Sequence, residues 1–412
     1  MTAPAAALGA YFLKWSEPKL GLAVSGGGDS IALLRLAADW AAEAGVALAA
    51  ATVDHGLRAE APQEAQFVAQ LCAELGVSHD TLRWTGWDGA GNLQDRARQA
   101  RYDLLADWAV RRGIGAVALA HTQDDQAETF LMRLARASGV DGLSAMADRQ
   151  VGPVRFLRPL MSVSRADLRA YLTGQGQSWI EDPSNADPTY ERVQMRQQSA
   201  SLARVGITAQ VLSDVAGNMA QARTALNWAT HAFSQQHLRM NGPDVTIDRA
   251  GFLTLPAELQ RRLMVHVVKW LSASEYAPRR QPVAALIQAA IAQERMTLHG
   301  CTLTHRKGGL YLHREYAAVQ GLSAPAEIPW DGRWVLSGPD LAGARVAALG
   351  RAGLDQLPDW RQQRRPEAAM MADPAVWLED RLIAAPLSGA PNGWSAEPAQ
   401  GRLDCHSALL SH

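Results

Sequence analysis

Ala23-Val24-Ser25-Gly26-Gly27-Gly28-Asp29-Ser30 closes one apolar run and opens another, Ile31-Ala32-Leu33-Leu34. Residues 20–24 read as a buried strand and residues 30–44 as a helix. Between them, three successive glycines let backbone N–H groups approach an anion with no Cβ in the way. The helix N-terminus adds partial positive charge at the same place. Ser25 and Ser30 can donate hydroxyls to phosphate oxygens, and Asp29 can hold a magnesium ion that bridges phosphates. The stretch reads equally as a plain strand-to-helix turn with Asp29 and Ser30 as capping residues. It is neither a GxxxxGK loop nor a GxGxxG loop.

The alternation continues outward from this loop. Apolar runs at 46–53 and 116–120 read as further parallel strands, with helical patterns at 64–75 and 93–111 between them. This order predicts a doubly wound α/β domain with a mainly parallel sheet, whose ligands bind at the carboxyl ends of the strands. Around Tyr190 the character changes. Residues 207–238 read as a long helix, 245–248 as a strand, and 256–271 and 282–293 as helices. Residues 296–305 and 310–313 read as a hairpin turning at Lys307-Gly308-Gly309. This is a smaller α+β domain. An Ala-, Pro- and Ser-rich linker at 318–329 then opens a small C-terminal domain. The expected domains are 1–205, 206–318 and 319–412.

A chain of 412 residues is too long for one ordinary domain. With 48% hydrophobic and 20% charged residues, it is globular. No apolar run is long enough to cross a bilayer, and Met1 to Ala10 lacks a basic leader, so no membrane partner and a cytoplasmic location are expected. A net charge of −1 argues against indiscriminate nucleic-acid binding but leaves room for a local basic patch. Cys72, Cys301 and Cys405 are far apart, which disfavours a disulfide framework or a zinc site.

Four more stretches carry chemistry. Val53-Asp54-His55-Gly56-Leu57-Arg58 follows the second strand and by itself reads as a polar loop. From Asn92, a helix-capping residue, to Tyr102, Gln94, Arg98 and Arg101 share one helix face, which suits either a solvated surface or contact with phosphates. His121-Thr122-Gln123-Asp124-Asp125-Gln126-Ala127-Glu128 places three carboxylates near one helix start, more than capping requires. Such a cluster suits a magnesium ion and an ammonium substrate whose amine must lose protons to become nucleophilic. Finally, Arg158-Pro159-Leu160, Ser164-Arg165, Glu181-Asp182-Pro183-Ser184-Asn185, Tyr190, Arg192 and Arg196 follow in order.

SGGxDS after a strand resembles the PP-loop of the N-type ATP pyrophosphatases, which cleave ATP between the α- and β-phosphates. The VDHGLR, AR..RY, HxxDDQAET, RPL, SR and EDPSN stretches, over residues 18–196, resemble the tRNA(Ile)-lysidine synthetases within that family. Ala137 stands where the family usually has Gly, and Val193 and Gln194 where it has Asn and Arg. The resemblance implies ATP as substrate, with Mg2+, and as partners free L-lysine and an isoleucine tRNA bearing a CAU anticodon. A homodimer is among the assemblies it allows.

The catalytic residues implied are Asp29, Arg101, Asp125 and Glu128. ATP would meet Ser25, Gly26, Gly27, Gly28, Asp29, Ser30, Arg98, Arg101 and His121. Lysine would meet Asp124, Asp125 and Glu128, and magnesium Asp29 and Asp125. Candidate tRNA contacts are Arg192 and Arg196, with Arg361, Arg364 and Arg365 in the C-terminal region. A tRNA thiolase is the alternative on the same fold, but those enzymes typically carry paired cysteines, and Cys72 is alone in the first domain.

Overall fold

The computed structural model describes residues 2–56, 61–85, 93–181, 189, 191–274 and 276–410. Leu57, Arg58, Asn92, the stretch from Asp182 to Asp187 and Tyr190 therefore lie outside the described residues. The chain divides into two compact units, Met1–Arg223 and Thr224–His412.

The first unit runs α1 (Ala3–Tyr11), β1 (Lys19–Ala23), α2 (Gly28–Ala44), β2 (Ala47–Asp54), α3 (Ala61–Glu74), β3 (Ser78–Arg83), α4 (Leu93–Arg112) and β4 (Ala116–Ala118). It continues through α5 (Gln123–Ala135), α6 (Val140–Leu143), β5 (Arg149–Val151), β6 (Val154–Leu157), α7 (Arg165–Gly174) and α8 (Glu191–Arg204). The sheet order is β3-β2-β1-β4-β6-β5, parallel except for β5 against β6. This is the expected doubly wound, mainly parallel sheet.

Strand β1 is central because it is apolar on both faces: Leu20 and Leu22 are fully buried, and Gly21 makes room for Trp108 and Val117. The chain winds from β1 outward to β3 and then returns to β4 on the other side of β1. The loops after β1 and β4 therefore splay apart at the carboxyl end of the sheet, which is the topological switch point. Strand β3 and a hairpin are among the features that escaped the sequence pattern. Strand β3, Ser-His-Asp-Thr-Leu-Arg, is a half-polar edge strand with one buried residue, Leu82. The β5–β6 hairpin turns on Gly152 at φ +56°.

Helix α9 (Ala209–His237) contains the division between the units. The second unit holds β7 (Leu238–Asn241), β8 (Asp244–Asp248), α10 (Arg249–Thr254), α11 (Ala257–Ser272), α12 (Arg280–Ala292), β9 (Met296–Leu298), β10 (Cys301–Arg306) and β11 (Gly309–Arg314). Their sheet order is β7-β8-β11-β10-β9. The single strand expected over 296–305 is two antiparallel strands. His299 and Gly300, at φ +56° and +68°, turn the chain between them.

Beyond residue 319 come β12 (Ser323–Ala324), β13 (Trp334–Ser337), β14 (Arg345–Ala348), β15 (Pro374–Leu378), β16 (Arg381–Ala384) and β17 (Ser395–Pro398), in two small antiparallel sheets. Residues 224–318 and 319–412 fall in one compact unit. Buried side chains are among the contacts that bind them. Cys405 is buried in the core of Leu238, Val245 and Leu303. Arg365 reaches the buried Asp244 of β8 at 2.7 Å.

Candidate active site

The glycine-rich loop is held in place from inside. Thr52 of β2 donates its hydroxyl to the Val24 carbonyl at 2.8 Å. Gly26 sits at φ +91°, a conformation that favours glycine, and its carbonyl accepts from the Ile180 N–H at 3.0 Å. A Cβ on Gly28 would stand 3.3 Å from the Trp179 ring, so glycine here lets the 179–180 segment lie against the loop. The Ser30 hydroxyl, expected at phosphate, has its partners within the loop in this structure. That hydroxyl donates to the Gly27 carbonyl (2.8 Å) and accepts from the Ser25 N–H (3.2 Å), stapling the loop. Ser25 itself is exposed.

On the far side of the switch point, α5 begins with a capping box. Thr122 N–H and Oγ both donate to Asp125 Oδ2 at 2.8 Å. This turn aims Asp125 and the buried Glu128 back toward the loop. The sequence had named Arg165 but given it no role, and this residue is what meets them there. Arg165, first residue of α7, places Nε 3.1 Å from Asp29 Oδ2, Nη2 3.2 Å from Asp125 Oδ1 and Nη1 3.2 Å from Glu128 Oε1. Its backbone N–H donates to Asp124 Oδ2 at 2.7 Å.

Arg192 Nε and Arg196 Nε add contacts to Glu128 at 2.9 and 2.8 Å. The two arginines expected at tRNA are thus turned inward to a buried carboxylate. Val193, between them, is buried, which fixes the face that α8 presents. Burial pushes the Asp29 carboxyl up despite Arg165. For Asp125, burial also acts upward, but Arg192 and Arg165 outweigh it and hold the carboxyl below its ordinary value.

A second pole lies on the α4 side. A cavity of about 160 Å³ is lined by His55, Arg98, Arg101, Tyr102 and His121 among others. Arg98 is exposed and stacks over Tyr102, whereas Arg101 is half-buried. Among the described residues, neither has a carboxylate partner, so both cations are available to an anion. Burial, reinforced by Arg158, Arg101 and Arg98, pushes His121 down to about 3. Its Nδ1 is buried without a partner.

A histidine kept neutral makes stability rise with pH wherever the unfolded state still binds a proton that the fold refuses. For His121 this window runs from its ordinary value of 6.5 down to about 3. Acidification from pH 7 to 5 is expected to cost at most about 2 kcal/mol through this residue. The melting midpoint of His121→Asn should fall less steeply over that range than that of the unaltered chain. Equal slopes would remove His121 as the cause.

The remaining basic candidates lie in the second unit. Arg365 is buried, donating to Asp244, to both oxygens of Asp373 (2.6 and 2.8 Å) and to the Leu387 carbonyl (3.1 Å). It is a core ion-pair residue, and the expectation that it touches tRNA is corrected. Arg361 is exposed and stacks on Trp360 at 4.5 Å. Arg364 is exposed and lines a cleft of about 660 Å³ with Arg239, Arg306 and Lys307. The Asp248 carboxylate in that cleft is occupied, accepting from Ala250 N (3.2 Å) and Gly251 N (3.0 Å).

A PP-loop domain family matches residues 4–201. Over 406 residues, 98% of this chain and 97% of the other, the chain is 50% identical to the tRNA(Ile)-lysidine synthase of Ruegeria pomeroyi. This chain belongs to the tRNA(Ile)-lysidine synthases. The synthase of Rhodopseudomonas palustris is 43% identical over 284 residues, 68% of this chain and 82% of that one. Among solved structures, a U34-tRNA thiolase from Methanococcus maripaludis has a TM-score of 0.47 at 14% identity, covering 53% of this chain and 78% of that chain. Membership makes the chain an enzyme whose PP-loop domain uses ATP. The three cysteines are free and buried, and burial pushes the Cys72 thiol up to about 11. No described helix is long and apolar enough to cross a membrane.

Proposed function

We propose that this lysidine synthase is a carbon–nitrogen ligase that joins free L-lysine to the anticodon cytidine of an isoleucine tRNA with a CAU anticodon. The observation that carries the reading is the pairing of two seats at one switch point. One is a backbone-and-arginine seat for anions, and the other a carboxylate seat for cations. ATP needs the first and a lysine ammonium the second.

In the first step the cytosine C2 oxygen attacks the α-phosphorus of ATP and pyrophosphate leaves. The backbone N–H groups from Gly26 to Gly28 and the α2 N-terminus would take the charge of the leaving group, with Arg98 and Arg101 on its oxygens. In the second step the lysine ε-amine attacks C2 and AMP leaves, so the exocyclic oxygen departs on phosphorus. Asp125 and Glu128 would orient the ammonium and accept its proton.

Asp29 and Asp125 would hold Mg2+. Their oxygens are hard donors that already converge on a single cation, the Arg165 guanidinium, and two carboxylates with substrate phosphates suit this ion. The metal would supply charge neutralisation on the phosphates. The second unit would hold tRNA. Its cleft of Arg239, Arg306, Lys307 and Arg364 supports this, since these cations are exposed or half-buried and gathered in one concavity.

The deciding experiment is ATP-dependent incorporation of radiolabelled lysine into an isoleucine tRNA transcript with a CAU anticodon. Labelling of that transcript, but not of a methionine tRNA with the same anticodon, is expected. Pyrophosphate release with another acceptor and no labelling would overturn the lysine step while keeping the PP-loop chemistry. For the cleft, Arg306→Ala and Lys307→Ala should each weaken tRNA binding and lower the slope of log affinity against log salt by about 1. An unchanged salt slope would remove the cleft from the tRNA path.

A further inference from the structure

Asp29 sits on α2, whereas Asp125 and Glu128 sit on α5, yet one oxygen of each bonds the same guanidinium. Arg165 is that cation. Its position on α7 does not depend on these side-chain bonds. Its backbone N–H is fixed by Asp124 at 2.7 Å, and Ser164 caps the helix by accepting from the Asp167 N–H at 3.1 Å. The side chain is therefore a flexible arm on a fixed base. It is 17% exposed, so it has an edge from which to leave.

Before ATP and its Mg2+ arrive, the three oxygens it bonds are the ones an alkylammonium would need. Such a group presents three N–H donors and one positive charge, which a fan of carboxylates matches. Arg192 and Arg196 do not fill this role. They bond Glu128, and Arg192 comes only within 3.7 Å of Asp125. Arg196 Nε shares Glu128 Oε1 with Arg165, but Asp29 Oδ2 and Asp125 Oδ1 each have one guanidinium, that of Arg165, at hydrogen-bond distance, and an ammonium that takes those two places displaces it. Nor can the seat stay empty cheaply, since three closely placed, partly buried carboxylates repel one another and take up protons.

We propose that Arg165 is a resident surrogate for the ammonium substrate. It holds the carboxylates together until lysine arrives and must swing out before the ε-ammonium takes its place. The inference rests on the lysidine synthase reading. Its consequence is a penalty on lysine affinity, because only the fraction of molecules with Arg165 withdrawn can bind.

The test is calorimetric titration of the full chain with L-lysine, with L-norleucine as the isostere lacking the ε-amine. Arg165→Met is expected to bind lysine about tenfold more tightly than the unaltered chain and to gain nothing for norleucine. Its melting curve shows whether it folds. Arg165→Lys keeps the charge should Met not be tolerated. One ammonium on a shorter fork cannot span all three carboxylates as guanidinium does, so a severalfold gain is expected there too.

A folded variant that binds lysine no more tightly than the unaltered chain overturns the surrogate role. So does an equal gain for norleucine. If the unaltered chain labels tRNA with lysine and the gain is absent, the exchange alone fails. If the gain is present and tRNA is never labelled, the proposed function fails and the exchange stands.

Discussion

Asp125→Asn should lose lysine transfer to tRNA by a factor of about 10² to 10⁴, the usual contribution of a positioned acid–base group. The substitution removes charge and leaves shape. Asp125 Oδ2 accepts from Thr122 N–H and Oγ, and an Asn carbonyl oxygen can accept from either, so α5 keeps its start. What vanishes is the anion at Oδ1, where Arg165 now sits at 3.2 Å and where lysine would be steered and deprotonated. Asp125→Ala and Asp29→Ala should be at least as inactive. The measurement is single-turnover lysine incorporation at saturating ATP, alongside a melting curve. A folded Asp125→Asn that works at the unaltered rate would sink the proposed role of this carboxylate.

Arg365→Met should destabilise the second unit by roughly 3–5 kcal/mol, the cost of breaking a buried ion pair from one side. Asp244 and Asp373 are each about 2% exposed and would be left without their counter-ion. Tyr311 OH would still donate to Asp244 and Ser388 Oγ to Asp373, but neither neutralises charge. Adding Asp244→Asn and Asp373→Asn to Arg365→Met should restore much of the loss, since a neutral buried group costs far less than an unpaired ion. Thermal or urea unfolding decides it. A melting midpoint unchanged in Arg365→Met, with weaker tRNA binding instead, would return the residue to the surface role that its basic neighbours suggest.

These two residues mark the limit of what a linear pattern reveals. Arg361, Arg364 and Arg365 are alike as text, three arginines within five positions. One stacks on Trp360, one faces a cleft, and one is buried between Asp244 and Asp373, positions 121 residues upstream and 8 downstream. Burial of a charge depends on partners that meet it only when the chain closes, so spacing carries no trace of it. Arg192 and Arg196 are a second instance, legible as basic but not as ligands of Glu128.

The sequence by itself determined the parallel sheet, the glycine loop at the end of its first strand and the acid-rich start of α5. Each is a local matter of apolar runs, missing Cβ atoms and capping geometry. Only the tertiary structure decided that β4 returns beside β1, so that residues 25–30 and 121–128 face one point. It alone decided that Arg165 fills that point. Strand order and ion pairing are settled by packing between distant segments, which act only once the sheet has brought them within a few ångströms.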